Sequence, residues 1–193
     1  MAGLIILAAG SSTRMGKPKQ LLQYKGESLI HRSVRVGLEA NCDPVIVVLG
    51  AHSEEVKPEI DTTKVHIVEN IAWEEGIGSS IRYGMSKVLK LEPEIEEVIF
   101  MLIDQPMVKA DLLKTLMQER KEKGKGIIAC AYEETIGVPA LFYKTFFPKL
   151  LALKGDEGAK KLLYRHRDEV VAVSFPAGAV DIDTLSDYKS LTT

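Results

Sequence analysis

Leu4-Ile5-Ile6-Leu7-Ala8-Ala9-Gly10-Ser11-Ser12-Thr13-Arg14-Met15-Gly16 decides the fold class. Its first five residues are apolar without alternation, the pattern of a short strand covered on both faces. The chain then empties into a glycine- and hydroxyl-rich loop whose basic residues are Arg14, Lys17 and Lys19. From Ser28 the apolar spacing takes a helical period. Leu29, Ile30, Ser33, Val34, Gly37 and Leu38 share one face, with Ser28 placed to cap it. Pro44 to Gly50 reads as a second buried strand, so strand, helix and strand form a βαβ unit.

The alternation continues outward from that unit. Val65 to Val68 reads as a strand, about Ser79 to Leu91 as a helix, and Val98 to Ile103 as a strand. Asp104-Gln105-Pro106 stops the last of these, because the residue before a proline is driven out of helical geometry. A helix follows from about Ala110 to Lys123, then a strand from Ile127 to Ala131. Farther on, Ala140 to Tyr143 and Val170 to Phe175 look strand-like, while Leu150 to Leu153 and Lys160 to Leu163 look helical. Thr184 to Leu191 predicts a closing helix, with Thr184 as its cap and Asp187 completing a capping box. The expectation is an α/β fold, one domain over 1–193, with a mostly parallel central sheet flanked by helices. In such sheets ligands lie beyond the C-terminal strand ends, where Gly10 and Asp104 both fall.

Composition narrows the class. A chain of 193 residues buries a substantial core without staples. With 25 Lys and Arg against 27 Asp and Glu, the net charge of −2 argues against a whole-surface nucleic-acid binder but admits a small phosphorylated ligand. Cys42 and Cys130 belong to no CxxC or Cys/His cluster, which predicts two thiols in a reducing compartment. No basic leader or 18-residue apolar stretch is found, so a cytoplasmic location without a membrane partner is expected. The histidines have no zinc-ligand spacing.

Several segments can carry chemistry. Gly10 and Gly16 let backbone approach a ligand closely, and the neighbouring cations can neutralise phosphoryl oxygens. The loop has neither the GxxxxGK[ST] nor the GxGxxG order, and a surface turn with ordinary lysines is the competing reading. Asp104 can hold Mg²⁺ between phosphates or merely close a turn. If Asp181-Ile182-Asp183 is extended, its two carboxylates face one side; one can join Asp104 while the other caps the final helix. Gly76, Gly78, Ser79 and Ser80 can approach a base or phosphate, or the serines can simply cap a helix. Asn70 can read a base edge or close a turn. Gly137-Val138-Pro139-Ala140 and Gly155-Asp156-Glu157-Gly158-Ala159 are candidate rim loops for an acceptor, or plain connections.

Leu7 to Gly16, followed by Lys19-Gln20-Leu21-Leu22, resembles the signature of nucleotidyltransferases with a Rossmann-like glycosyltransferase-A fold. More narrowly it is similar to the MobA-like molybdenum cofactor cytidylyltransferase family. The likeness runs in order through Asn70, Trp73, Gly76 to Gly84, Asp104-Gln105-Pro106, Gly137 to Ala140, Gly155 to Ala159 and Asp181 to Thr184. It implies that Leu7, Ala8, Ala9, Gly10, Ser11, Ser12, Asn70, Gly76, Gly78, Ser79 and Ser80 hold the nucleotide, with Arg14 and Lys19 on its phosphates. It further implies Mg²⁺ on Asp104, with Asp181 the preferred partner and Asp183 the reserve, and an acceptor held by Gln105, Gly137, Pro139, Gly155 and Asp156. The Ala8-Ala9-Gly10 form favours CTP. The implied reaction transfers a cytidylyl group from CTP to the terminal phosphate of a molybdopterin-type acceptor, releasing pyrophosphate, with a molybdoenzyme or its maturation chaperone as a partner. The alternatives are guanylyl or other nucleotidyl transfer to a different phosphorylated acceptor, and a non-catalytic nucleotide-binding accessory protein.

Overall fold

In the computed structural model, which describes residues 1–192, the opening apolar run forms β1 (Gly3–Ala8), buried throughout. Thr193, the last residue of the expected domain, lies outside the described residues. The chain continues through a small hairpin of β2 (Gln23–Tyr24) and β3 (Glu27–Ser28), then α1 (Leu29–Glu39), β4 (Val45–Leu49), α2 (Ser53–Val56) and β5 (His66–Glu69). Next come α3 (Ile77–Leu91), β6 (Glu97–Leu102), α4 (Ala110–Lys123), β7 (Ile127–Tyr132) and β8 (Thr135–Tyr143). The last elements are α5 (Phe147–Leu151), α6 (Ala159–Arg165), β9 (Val170–Ser174) and α7 (Leu185–Thr192).

The main sheet has the order β5-β4-β1-β6-β8-β7-β9. β5, β4, β1 and β6 are parallel neighbours, β8 runs antiparallel to β6 and β7, and β9 is again parallel to β7. This is the expected α/β fold with a mixed, mostly parallel sheet. Because successive strand residues point to opposite faces, β1 feeds two cores. Leu4, Ile6 and Ala8 join Val34 of α1 and Leu113 of α4, whereas Ile5 and Leu7 join Ile81 and Met85 of α3, Leu150 of α5 and Leu162 of α6. Helices thus cover both faces.

The structure corrects several expected boundaries. α3 begins at Ile77 rather than Ser79, which moves Gly78, Ser79 and Ser80 into its first turn. Gly137 and Pro139, expected in a rim loop, are buried within β8. The ladder pairs Ala129 with Ala140 and then Cys130 with Gly137, so Val138 and Pro139 occupy a bulge where a missing N–H breaks no pairing. The β2–β3 hairpin went unread because each strand has only two residues, although Lys25 and Gly26, both at positive φ, form its turn. The capping box at the last helix is present: Asp187 N–H donates to Thr184 Oγ1 at 3.3 Å, and Thr184 N–H to Asp187 Oδ2 at 2.7 Å.

Glycines let the helices close on β1. A Cβ at Gly84 of α3 would stand 2.6 Å from Ile5 Cγ2 and 3.1 Å from Val48 Cγ2, both stiff β-branched methyls, and Gly37 of α1 packs likewise on Leu4. Gly84→Ala is therefore expected to lower stability by about 1–3 kcal/mol through overpacking, read as a lower denaturant midpoint with the slope unchanged; an unaltered midpoint would show that α3 shifts freely.

Candidate active site

Within the parallel half of the sheet the chain passes from β1 outward through β4 and β5, then crosses back to place β6 on the other edge of β1. That reversal leaves a crevice beyond the C-terminal ends of β1 and β6, where α/β sheets take their ligands. A cleft of about 500 Å³ opens there. Its floor is Leu7 to Arg14 together with Lys19 and Gln20; Leu102 ends β6 and Ile103 and Asp104 follow it, and Asp183 precedes α7. Trp73, Glu74, Gly76, Ile77, Ser80 and Asp156 complete the wall.

The loop after β1 is held from several directions. Ser12, at φ 52°, accepts from Lys19 N–H through its side chain at 3.1 Å and from Met15 N–H through its carbonyl at 2.9 Å. Gln20, only 2% exposed, donates from Nε2 to the carbonyls of Ala8 at 2.6 Å and Gly10 at 3.4 Å. His52 bridges Ser11 O at 2.8 Å and Glu55 Oε1 at 2.9 Å. The backbone hydrogen bond to Ser11, then Glu55, hold the imidazole above its usual pKa against partial desolvation. Sequence reasoning gave no role to Gln20 or His52. A glutamine beside Leu21 and Leu22 was the available signal, because a polar side chain in an apolar run needs a partner.

Charged groups converge on the opposite wall. Lys19 Nζ lies 2.7 Å from Asp183 Oδ1 and 3.2 Å from Asp104 Oδ2, and Arg14 lies 3.1 Å from Asp183 Oδ2. The Lys19 side chain is 13% exposed and Arg14 68% exposed, so the lysine contacts are the firm ones and the arginine contact is worth at most about 1 kcal/mol. Burial raises the Asp104 carboxyl above its usual range despite Lys19, whereas the Lys19 hydrogen bond holds Asp183 below it. Asp104 Oδ1 is enclosed without a hydrogen-bond partner.

An enclosed carboxylate oxygen with no donor, beside a second carboxylate, fits a hard cation that prefers oxygen ligands. Among the described residues no three acidic, histidine or cysteine side chains gather as a ligand set, so a cation on Asp104 and Asp183 needs oxygens from elsewhere, which phosphates supply. Asp181 is exposed and does not line the cleft; Asp183, the reserve, does. The reason is local: Ile182 is fully buried with its N–H on Asp104 O at 3.0 Å, and the turn into α7 swings Asp183 inward.

Other expected residues serve as scaffold. Asn70 is 1% exposed and donates from Nδ2 to Ser79 Oγ at 2.7 Å and Ser80 Oγ at 3.0 Å, tying the end of β5 to α3. Of these three, only Ser80 lines the cleft. Gly76 stands at φ 105°, where a Cβ would meet Asp156 Oδ1 and Gly155 O at 2.5 Å, and Gly78 N–H donates to Gly155 O at 2.9 Å. These contacts bring Asp156, expected on the acceptor side, to the same wall as Gly76, while Gly78 and Gly155 stand behind it. Gln105 is buried, donating to Val138 O at 3.1 Å, and Gly137 and Pro139 lie away from the cleft. Burial pushes the Cys42 and Cys130 thiols up to about 12, so neither is a nucleophile at neutral pH.

A glycine- and hydroxyl-rich loop meets a lysine and two carboxylates in one cleft at the switch point of this α/β sheet. The chain belongs to the family of MobA-like NTP transferase domains, which matches residues 4–170. It is 33% identical to nicotine blue oxidoreductase of Paenarthrobacter nicotinovorans over 97% of this chain and 94% of the relative. It is 30% identical to a probable molybdenum cofactor guanylyltransferase of Opitutus terrae over 64% of this chain and 57% of that one. The crystal structure of Rv0371c from Mycobacterium tuberculosis H37Rv superposes with a TM-score of 0.82 at 32% identity, covering 100% of this chain and 98% of the other. Nucleotidyl transfer is the chemistry this family is named for. No described helix is long and apolar enough to cross a membrane.

The His52 brace has a pH signature. Deprotonation leaves one ring nitrogen an acceptor facing Ser11 O or Glu55, themselves both acceptors, so one contact is lost. Because the folded pKa is raised, the brace is complete below the ordinary histidine value of about 6.5 and weakens as pH rises through the raised value. Thermal melts from pH 5.5 to 8.5 are expected to show wild type losing a few tenths of a kcal/mol relative to His52→Asn; parallel curves would remove His52 from the loop's support.

Proposed function

We propose that the chain transfers a nucleotidyl group from a nucleoside triphosphate to a phosphorylated acceptor, guanylyl transfer to a molybdopterin-type acceptor being the preferred specific form. The observation that carries the reading is the meeting of the Gly10–Gly16 loop, Lys19, Asp104 and Asp183 in one cleft at the switch point. The guanylyltransferase relative, similar over 125 residues, outweighs the three-residue Ala8-Ala9-Gly10 distinction that led to the expectation of CTP. Cytidylyl transfer becomes the second form.

In the proposed reaction an oxygen of the acceptor's phosphate attacks the α-phosphorus. The bond from that phosphorus to the bridging oxygen breaks, and pyrophosphate leaves with the electron pair. No covalent intermediate with the protein is required, so the chain's task is alignment and charge compensation. Gln20 turns the Ala8 and Gly10 carbonyls toward a buried amide instead of an incoming phosphate. Arg14, mostly exposed, is free to swing onto the phosphates, and Lys19 reaches the same space from behind the loop. Asp104 and Asp183 would hold a Mg²⁺ that neutralises the triphosphate.

Pyrophosphate release with GTP, CTP, ATP and UTP, with and without purified molybdopterin, tests the reading; NADH and NADPH oxidation serve as the control set by the relative named an oxidoreductase. Acceptor-dependent release with GTP is expected. CTP-selective release restores the cytidylyl form, and pyridine-nucleotide oxidation without pyrophosphate overturns the proposal. Asp104→Asn is expected to lower turnover by roughly 100-fold or more while the melting temperature holds or rises, since it replaces a buried carboxylate by a neutral amide.

A further inference from the structure

The cluster at the cleft wall is electrically closed. Asp104 and Asp183 contribute two negative charges, Lys19 and Arg14 two positive ones, and Lys19 lies within 3.2 Å of both carboxylates. Its side chain is 13% exposed, and its one ammonium group is shared between the two carboxylates, 2.7 Å from Asp183 Oδ1 and 3.2 Å from Asp104 Oδ2. A divalent cation approaching these carboxylates finds both already paired, and is repelled at short range by an ammonium bonded to the two of them. Yet Asp104 Oδ1 is left enclosed and unpaired, an oxygen that Lys19 does not satisfy.

We propose that Lys19 is a resident counter-ion bonded to the two carboxylates best placed to hold a divalent cation, and that it exchanges with the cation only when a triphosphate draws it away. The inference rests on the nucleotidyl-transfer reading and concerns the order of assembly at that site. Charge bookkeeping favours the exchange in one direction. An arriving triphosphate offers Lys19 and Arg14 several negative oxygens in place of carboxylates; once both have moved, Asp104 and Asp183 present two uncompensated charges to a dication. Lys19 is anchored through its own backbone, whose N–H is held by Ser12 Oγ at 3.1 Å, and it follows Pro18 at the start of a single 3₁₀ turn. The exchange therefore needs only side-chain rotation about a fixed Cα. Cation and nucleotide become coupled ligands: each strengthens the other by removing the same ion pair, and neither alone opens the cluster fully. The cleft would thereby avoid collecting free divalent cations in the absence of substrate.

Mn²⁺ binding followed by electron paramagnetic resonance tests this without turnover. Without nucleotide, Lys19→Met is expected to take up Mn²⁺ about tenfold more tightly than wild type, within the ordinary range of site–site coupling, while Lys19→Arg, which keeps the charge, stays weak. A GTP analogue with a methylene bridge between the α- and β-phosphorus supplies phosphate oxygens to the cation in both proteins, and is expected to raise Mn²⁺ affinity by a factor about tenfold larger in wild type than in Lys19→Met, the excess being the displaced ammonium. Lys19→Gln, whose amide still donates to Asp104, takes the place of the methionine variant should that protein fail to fold. Equal Mn²⁺ affinity in wild type and the neutral variants overturns the exchange, as does absence of Mn²⁺ uptake by all of them. Triphosphate binding measured with saturating Mg²⁺ judges the nucleotide reading separately: its absence in wild type sinks that reading, whereas its presence with equal Mn²⁺ affinities in wild type and the neutral variants sinks only the exchange.

Discussion

A strand buried on both faces and paired on both edges leaves its chain one exit, past its own C-terminal end. β1 is such a strand: it is flanked by β4 and β6, and Gly37 and Gly84 allow helices to close on it from either side. Everything distinctive about the cleft follows from what the chain must do on leaving. The backbone between Ala8 and Gly16 can join no ladder, so its polar groups need partners from elsewhere. Gln20, His52 and Ser12 provide them. A loop held by side chains keeps a fixed shape while leaving its outer surface free, which an anion-binding segment requires.

The second consequence concerns charge. β6 lies beside β1, so Asp104 emerges next to the loop, and the turn before α7 brings Asp183 to the same point from the far end of the chain. Lys19, Asp104 and Asp183 come from segments separated by 85 and 164 positions, so the cluster also fastens three parts of the fold together. Structural and functional roles are not separable here. The ion pairs that join these segments are made by the same groups that the proposed reaction assigns to the triphosphate and its cation.

How legible this was depended on the range of the interaction. β1, β4 and β6 were readable because a buried strand is a local apolar run, and α1 and α4 because one face repeats at 3.6 residues. Gly10 and Asp104 were readable as cleft residues because each comes just after such a run, and Arg14 and Lys19 because they are the cations of the loop that follows β1. Asn70 makes the turn that was one of its two readings, Oδ1 accepting from Ala72 N–H at 2.9 Å, while its bonds to Ser79 and Ser80 needed the folded chain to show. The failures involve long-range partners. Gly137 and Pro139 suggested a loop because both residue types favour turns, but a bulge opposite Ala129 and Cys130 accommodates them within β8. Asp181 and Asp183 are equivalent in an alternating reading, and what separates them is the turn into α7, where Asp187 Oδ2 accepts from Asp183 N–H just after the buried Ile182.

The scarcity of acidic ligands also bears on specificity. Two carboxylates and an intruding ammonium make a poor cage for a free cation, but an adequate one when phosphate oxygens complete it. A relative with this fold can therefore change its base, its acceptor or even its type of reaction by altering the rim while retaining the loop after β1. In this chain the rim is built from Trp73, Glu74, Ile77 and Asp156, which approach from the connection after β5, the start of α3 and the turn before α6. Gly76 sets their spacing, because any side chain there would collide with Gly155 and Asp156. In the proposed reaction, selectivity among bases and acceptors would be a property of how these rim segments meet, whereas the charge chemistry would belong to the three segments that Lys19 joins.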